Sequence, residues 1–270
     1  MAKNIRKAVL LLAMLSVIVG MFTACSNKKS DDGRTTFTVG FDAEFPPYGY
    51  KDDSGEYVGF DLDLAQEVCD NLGWELVKKP INWDSKDMEL NSGTISCIWN
   101  GFTWNCADDD GTNRSDKIDF SVPYMQNAQC VVRGANETEL TDAAQFDGKS
   151  VAFEAGSAGE SYVGGIEGVT INKKDVTSQM DAIKAVNTGT AQYAIVDVLL
   201  AQKLAGKGDY TNLVINEGIA IEKEEYAVGF KKGSELTAKV NGVFKTLAEN
   251  GFAATLAEKY GLANSLLLTK

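Results

Sequence analysis

Short apolar segments alternate with longer amphipathic segments in the first half of the chain. Residues 95–99 are apolar but too few for a helix, so they predict a buried strand. Leu64, Val68 and Leu72 recur at helical spacing and predict a helix that Asp61 caps and Gly73 ends. The pattern as a whole predicts a strand, a helix, a strand, a short helix and a strand at 36–41, 61–72, 75–79, 84–90 and 95–99. This order is typical of a parallel sheet with crossover helices.

The same alternation returns after residue 148 and predicts a second lobe. Strands are expected at 150–153, 169–172 and 193–196, and helices from 161, at 178–186 and at 198–204. About 235 residues follow the N-terminal segment, which is more than one domain usually contains. We therefore predict an α/β protein of two lobes.

Polar and aromatic residues directly follow the predicted strands of the first lobe. These residues are Asp42, Phe45, Trp83, Asn100 and Gly101. Ligands of α/β proteins bind beyond the carboxyl ends of parallel strands, so these residues are candidates for one site. Two prolines after Phe45 hold it on an extended turn, where it could stack on a ligand or plug the core beneath a loop.

The first 25 residues predict a secretory signal. Lys3, Arg6 and Lys7 precede an apolar run of about 15 residues, too short to span a bilayer as a helix. Residues 22–25 resemble a bacterial lipobox, which implies cleavage before Cys25 and lipidation of its thiol. Position 22 holds phenylalanine where leucine is usual, so a plain signal peptide is the alternative. Residues 26–35 are small and polar and predict a flexible tether.

Composition excludes several classes of function. After the signal, 23 basic residues remain against 38 acidic ones, which argues against nucleic acid as a partner. The chain has no histidine, which removes the commonest zinc and copper ligand and the base of Ser-His-Asp catalysis. The remaining cysteines lack metal-binding spacing, and their pairing stays open; they are Cys69, Cys97, Cys106 and Cys130. We expect no catalytic residue, no metal and no cofactor.

A set of motifs resembles the extracellular solute-binding proteins of polar amino-acid ABC importers. The motifs are FDAEFPPYGY at 41–50, GFDLDLAQEV at 59–68, WDSKDMELNSG at 83–93, NGFT at 100–103, Arg114 with DFS at 119–121, GKSV at 148–151, EAGS at 154–157, GTAQYAIVD at 189–197, EYAVGF at 225–230 and EKYG at 258–261. Each motif is weak alone, but their order covers almost the whole chain after the tether. The family includes lysine/arginine/ornithine-, glutamine- and cystine-binding proteins.

The resemblance implies a Venus-flytrap fold of the periplasmic-binding-protein type II class. Each lobe would contain a mostly parallel sheet flanked by helices, and two crossing strands would form the hinge. The first lobe is expected at 36–128 and 227–270, and the second at 129–226. The hinge strands are expected near 126–132 and 223–230.

The resemblance also assigns a binding site for the carboxylate of a free amino acid. Arg114 would bind it through paired donors, helped by Thr103 and by the turn with Ser157 and Ala158. Family members often carry a hydroxyl at the position of Ala158, so one hydrogen bond is expected to be missing. Between Trp104 and Arg114 the chain carries about eight extra residues, whose aspartates could loosen this clamp unless the insertion loops outward.

Other residues would hold the rest of the ligand. Asp197 and the carbonyl of Gly101 would bind the ammonium, while Phe45 and Trp83 would sandwich the side chain and could attract a cationic head. Three carboxylates give a weak preference for a cationic or amide-bearing substrate: Asp42, Glu154 and the neighbouring Glu44.

The function implied is a receptor that captures a free amino acid between two lobes and delivers it to an ABC permease. We expect a monomer, exported and lipid-anchored through Cys25 on the outer side of the bacterial cytoplasmic membrane. One alternative is an enzyme similar to cyclohexadienyl dehydratases, with Glu154 or Glu44 as the general acid. Another is a sensory ligand-binding module. The aspartate for the ammonium and the paired aromatic residues favour binding over catalysis.

Overall fold

The computed structural model describes residues 35–108, 111–221 and 223–269 of the 270-residue chain. The predicted signal, with Cys25, and all of the tether except residue 35 lie outside these ranges. Within them, no helix has both the length and the apolar character needed to cross a membrane.

Strands and helices alternate along most of the described chain. The strands are β1 (Thr36–Phe41), β2 (Glu44–Phe45), β3 (Gly49–Lys51), β4 (Tyr57–Val58), β5 (Glu75–Pro80), β6 (Cys97–Ile98), β7 (Ile118–Phe120), β8 (Met125–Gly134), β9 (Ser150–Glu154), β10 (Asn172–Val176), β11 (Tyr193–Asp197), β12 (Leu213–Ile215), β13 (Lys223–Tyr226) and β14 (Gly229–Lys231). The α-helices are α1 (Phe60–Leu72), α2 (Lys86–Asn91), α3 (Arg114–Lys117), α4 (Ala158–Gly164), α5 (Gln179–Asn187), α6 (Val198–Leu204), α7 (Leu236–Glu249) and α8 (Phe252–Tyr260). Short 3-10 helices lie at Trp83–Ser85, Ala143–Phe146, Gly208–Tyr210 and Ala263–Ser265.

Two mixed sheets carry the fold. The first has the order β5-β1-β6-β14-β7; β1 and β6 are parallel, whereas β14 is antiparallel to both of its neighbours. The second has the order β10-β9-β11-β8-β12, and β13 also pairs with β8. There β9 is parallel to β10 and β11, whereas β8 is antiparallel to its three partners. The sheets are therefore mixed rather than mostly parallel, because β8 and β14 run against the strands of the strand-helix-strand segments.

The chain passes between the two sheets twice. It leaves β7 of the first sheet and enters β8 of the second, then leaves β13 and returns to the first sheet as β14. β8 and β13 pair with each other, with Asn127 opposite Glu224. The exact lobe boundaries and the hinge positions given above stay predictions.

Buried apolar side chains explain why these segments take their places. In β1, Phe37, Val39 and Phe41 alternate with less buried residues and are at most 1% exposed. Helix α1 buries Leu64 and Val68 and ends at Gly73, whose left-handed conformation (φ 66°) a glycine adopts readily. These side chains join one large apolar cluster, which fixes the strand ends that carry the site.

Two local predictions are wrong. The strand expected at 169–172 lies at Asn172–Val176, because it is a polar strand paired only with β9 and shows little apolar pattern. Asp61 is not the N-cap of α1, which begins after Gly59; its side chain is fully buried inside the first turn. The four described cysteines are unpaired.

Candidate functional site

A cavity lies between side chains from the first part of the chain and side chains from the part that forms the second sheet. It is lined by all eleven residues predicted to bind ligand: Asp42, Phe45, Trp83, Asn100, Gly101, Thr103, Arg114, Glu154, Ser157, Ala158 and Asp197. Gln129 and Gln179 complete the lining and were not predicted.

The Arg114 side chain is 2% exposed, and its guanidinium donates hydrogen bonds to three different residues. Its Nε donates to Asp108 Oδ1 at 2.9 Å, Nη1 donates to the Thr103 carbonyl at 3.0 Å, and Nη2 donates to the Gly156 carbonyl at 3.2 Å. Its guanidinium carbon lies 5.0 Å from the centre of the Phe102 ring. A guanidinium has five N–H donors, so each terminal nitrogen retains one more. Two such donors suit a carboxylate.

Asp197 ends β11 with amide groups around its carboxylate. Asn127 Nδ2 donates to Oδ1 at 2.6 Å, Gln129 Nε2 donates to the same oxygen, and Gln179 Nε2 donates to Oδ2 at 2.7 Å. Gln129 also donates to Glu224 Oε1 at 2.8 Å. Burial, and then the negative charge of Glu224, raise the pKa of Asp197 well above its ordinary value. The three amide groups that donate to it are neutral and the neighbouring Glu224 is acidic, so a cation beside this carboxylate would be favourable.

Two more carboxyl groups line the cavity, and each has one buried oxygen without a partner. Asp42 accepts the Glu44 backbone N–H at 2.8 Å, but its Oδ2 has no hydrogen-bond partner among the described residues. The same is true of Glu154 Oε1. Burial raises the pKa of Asp42 to about 7. Burial, with the charges of Asp42 and Asp197, raises the pKa of Glu154 well above its ordinary value. Such groups gain most from a ligand that supplies donors.

The two aromatic residues are packed firmly beside these carboxylates. Phe45 stacks on Tyr48, with ring centres 5.2 Å apart, and Trp83 meets Phe102 edge-on at 5.7 Å. Phe45 and Trp83 are 3% and 5% exposed. Phe45 therefore both packs in the core and lines the cavity, so the expectation of a core residue and the expectation of a ligand-contacting residue are compatible.

Asp61 holds the backbone of the site in place through hydrogen bonds to its carboxylate. Its Oδ2 accepts the Gly101 N–H at 3.0 Å and the Tyr124 hydroxyl at 2.7 Å. Gly101 has φ 62°, and a Cβ there would lie 2.6 Å from a Phe45 ring carbon, so both conformation and space require glycine. Beside it, Asn100 accepts the Asp42 N–H at 3.2 Å through Oδ1.

Ser157 and Ala158 line the cavity where α4 begins. Ser157 Oγ accepts the Glu160 N–H at 3.2 Å and so caps the helix. The hydroxyl still has its proton to donate. Ala158 has no polar side-chain atom, as the sequence indicated.

Segments that follow strands in the two halves of the chain contact each other directly around the cavity. Lys86 Nζ donates to the Gly156 carbonyl at 2.8 Å, the same oxygen that accepts from Arg114. Ser178 Oγ donates to Glu44 Oε2 at 2.8 Å. Burial, and then the charge of Arg114, lower the pKa of Lys86. Contacts between the two halves of the chain therefore flank the cavity.

Comparison with known proteins agrees with this geometry. Residues 37–263 match the bacterial extracellular solute-binding proteins, family 3. The chain belongs to this family. The L-cystine-binding protein TcyJ of Escherichia coli is 30% identical over 258 residues, which cover 94% of this chain and 92% of that protein. A probable ABC transporter arginine-binding protein, ArtJ of Chlamydia trachomatis serovar D, is 26% identical over 263 residues, which cover 94% and 96%.

A solved structure shows the same architecture. An ancestral arginine-binding protein bound to arginine has a TM-score of 0.75 and 27% identity, covering 84% of this chain and 98% of that one. The two-lobe type II fold predicted for this solute-binding protein is therefore confirmed. Its relatives are binding proteins and not enzymes, so the dehydratase alternative is not supported.

Gln129, Gln179 and Glu224 are the polar residues of this solute-binding protein that sequence reasoning missed. Gln129 and Glu224 meet only because β8 and β13 pair across 95 positions of the chain. One signal was available, since Asn127 and Gln129 stand two positions apart in β8, which places both on one face of the strand, and both are buried.

Proposed function

We propose that this solute-binding protein serves an ABC importer and carries an amino acid with a cationic side chain. The observation that carries the proposal is the pair of buried carboxyl oxygens, on Asp42 and Glu154, that have no hydrogen-bond partner in the described part of the chain and lie in a cavity also lined by Phe45 and Trp83. A guanidinium or ammonium group would supply donors to both oxygens. The aromatic faces would contact the aliphatic stem and attract the positive charge.

The remaining groups fit the common part of an amino acid. Arg114 offers its two remaining terminal N–H groups to the α-carboxylate, near the hydroxyls of Thr103 and Ser157. Asp197 offers a carboxylate to the α-ammonium, and the Gly101 carbonyl is a second acceptor. These roles follow from the chemistry of the lining and from the predicted assignment.

Names of relatives support this class of ligand. Arginine or histidine appears in the names of several related proteins and solved structures. Cystine is the second candidate, because the relative with 30% identity is named as a cystine-binding protein. Cystine would bring a second carboxylate as well as a second ammonium towards Asp42 and Glu154, so we favour a ligand with a purely cationic end.

We also propose that the protein is tethered to the cytoplasmic membrane by a lipid. A lipid on Cys25 would hold a monomer at the outer side of the cytoplasmic membrane, close to the permease. Labelling of growing cells with a tagged fatty acid, compared between wild type and Cys25→Ala, tests this step.

A ligand screen tests the proposed function. Ligand-free protein is heated with each of the twenty amino acids, ornithine and cystine, since a ligand bound only by the folded state raises the melting temperature. We expect arginine, lysine or ornithine to give the largest rise. A rise with cystine or glutamine alone would contradict the cationic assignment, and no rise with any compound would contradict amino-acid binding.

A further inference from the structure

Both ends of the insertion between Trp104 and Arg114 lie beside Arg114. Ala107 pairs with Asn113 in an antiparallel bridge, and the Arg114 N–H donates to the Cys106 carbonyl at 3.3 Å. Asp108 N donates to the Thr112 carbonyl at 2.9 Å. The two ends of the insertion are therefore joined beside Arg114.

The start of the insertion is also fixed to β13. Trp104 donates through its backbone N–H to the Glu225 carbonyl and through Nε1 to Glu225 Oε2, both at 3.1 Å. Glu225 N in turn donates to Asn105 Oδ1 at 3.0 Å. This support limits the movement of the residues that lead to Asp108.

Asp108 accepts a hydrogen bond from Nε of Arg114, the guanidinium nitrogen that is bonded to the aliphatic part of the side chain. The distance from Nε to Oδ1 is 2.9 Å, and Lys117 Nζ lies 3.1 Å from Oδ2. Burial alone would raise the pKa of Asp108, but its hydrogen bonds and ion pairs with Arg114 and Lys117 outweigh burial and lower it. The carboxylate is ionised at neutral pH.

We propose that Asp108 is a positioning residue for the carboxylate clamp. By accepting from Nε, Asp108 fixes the plane of the Arg114 guanidinium. The ligand can then bind only to the two terminal nitrogens. Each of these has one N–H left, because the other donates to the carbonyl of Thr103 or Gly156. This inference rests on the proposed function, in which Arg114 binds the α-carboxylate. The extra segment of this chain thereby becomes part of its binding machinery without touching the ligand.

Two substitutions and two kinds of ligand test the proposal by titration calorimetry. Asp108→Ala frees Nε and should weaken binding of L-arginine and L-lysine roughly tenfold or more, as expected for loss of a charge-assisted hydrogen bond. Asp108→Asn keeps an oxygen that can accept from Nε and should stay within about threefold of wild type. The matched control is Asp116→Ala, which removes an exposed negative charge on α3 and should leave affinity unchanged.

The α-carboxamides of arginine and lysine separate positioning from general destabilisation. They lack the carboxylate, so Asp108→Ala should change their weaker affinity little. An equal loss for amino acid and amide, an Asp108→Asn variant as weak as Asp108→Ala, or full affinity in Asp108→Ala would each overturn the role of Asp108. If wild type binds neither amino acid, the proposed function fails as well, so the two failures are distinguishable.

Discussion

At the residue scale, the site is defined by carboxyl groups that the protein leaves partly unsatisfied. Asp42 and Glu154 each have a buried oxygen without a hydrogen-bond partner among residues 35–108, 111–221 and 223–269, while Asp197 accepts from neutral amides and lies beside Glu224. Removing carboxylates from water costs free energy unless donors replace the water. The protein bears this cost in the cavity, which supports the proposal of a cationic ligand.

The raised pKa of Asp42 predicts how the stability of the ligand-free protein depends on pH. Its pKa is about 7 in the folded protein and near its ordinary value of 3.8 when unfolded, so between these values the folded state binds more protons. The free energy of unfolding should therefore fall as pH rises from about 4 to 7, by a few kcal/mol at most for this group.

Urea unfolding of ligand-free protein at pH 5, 6, 7 and 8 measures this dependence. Asp42→Asn keeps a similar shape but does not titrate, so its stability should fall less steeply over the same range. Parallel pH profiles for wild type and Asp42→Asn would show that Asp42 does not hold its proton in the folded state.

At the scale of elements, the turn after β9 lies against the segment that carries Asp84 and Lys86. Gly156 has φ 73°, and a Cβ there would lie 2.9 Å from Lys86 Nζ and 3.1 Å from Asp84 Cα. Glycine at this position therefore permits both the backbone conformation and the close approach of the two segments.

Gly156→Ala should weaken ligand binding more than it weakens the fold. The left-handed conformation costs alanine about 1 kcal/mol of stability, and the added methyl group also opposes contact across the cavity. Gly168→Ala is the matched control, because Gly168 has φ 76° and open space around its Cβ position. Calorimetry and urea unfolding are compared for both variants. Equal affinity in the two variants would contradict a role for Gly156 in closure.

The sequence predicts the strand-end residues well and the cross-sheet contacts poorly. Asp42, Phe45 and Gly101 follow strands whose parallel arrangement brings their ends together, and that arrangement is visible in the order of elements. Asp61 shows the limit: its place suggests a helix cap, but it accepts from Gly101, which lies 40 positions further along the chain. Only the tertiary fold creates that contact.

The insertion shows the same limit. Its aspartates are obvious in the sequence, but whether they meet Arg114 depends on the contacts of residues 104 and 105 with β13. Asp108 therefore could not be assigned a role before the pairing of these segments was known. Likewise, the polar strand β10 was misplaced because an edge strand needs few apolar residues.

At the scale of the whole molecule, we expect ligand binding and closure of the two lobes to be one equilibrium. Arg114 and Gly101 come from the first part of the chain, whereas Ser157 and Asp197 come from the part that forms the second sheet. A ligand that contacts both groups binds the closed arrangement more tightly than an open one and thereby favours it. A permease could then recognise the closed arrangement.

Titration of wild type and Arg114→Ala with L-arginine tests the central claim most directly. We predict measurable binding by wild type and a loss of roughly 30-fold or more in Arg114→Ala, because truncating a buried charge partner leaves the ligand carboxylate unpaired. Circular dichroism shows whether the variant is folded. Equal affinity of the folded variant and wild type would contradict the account, since the cavity would then bind its ligand without the guanidinium around which the site is built.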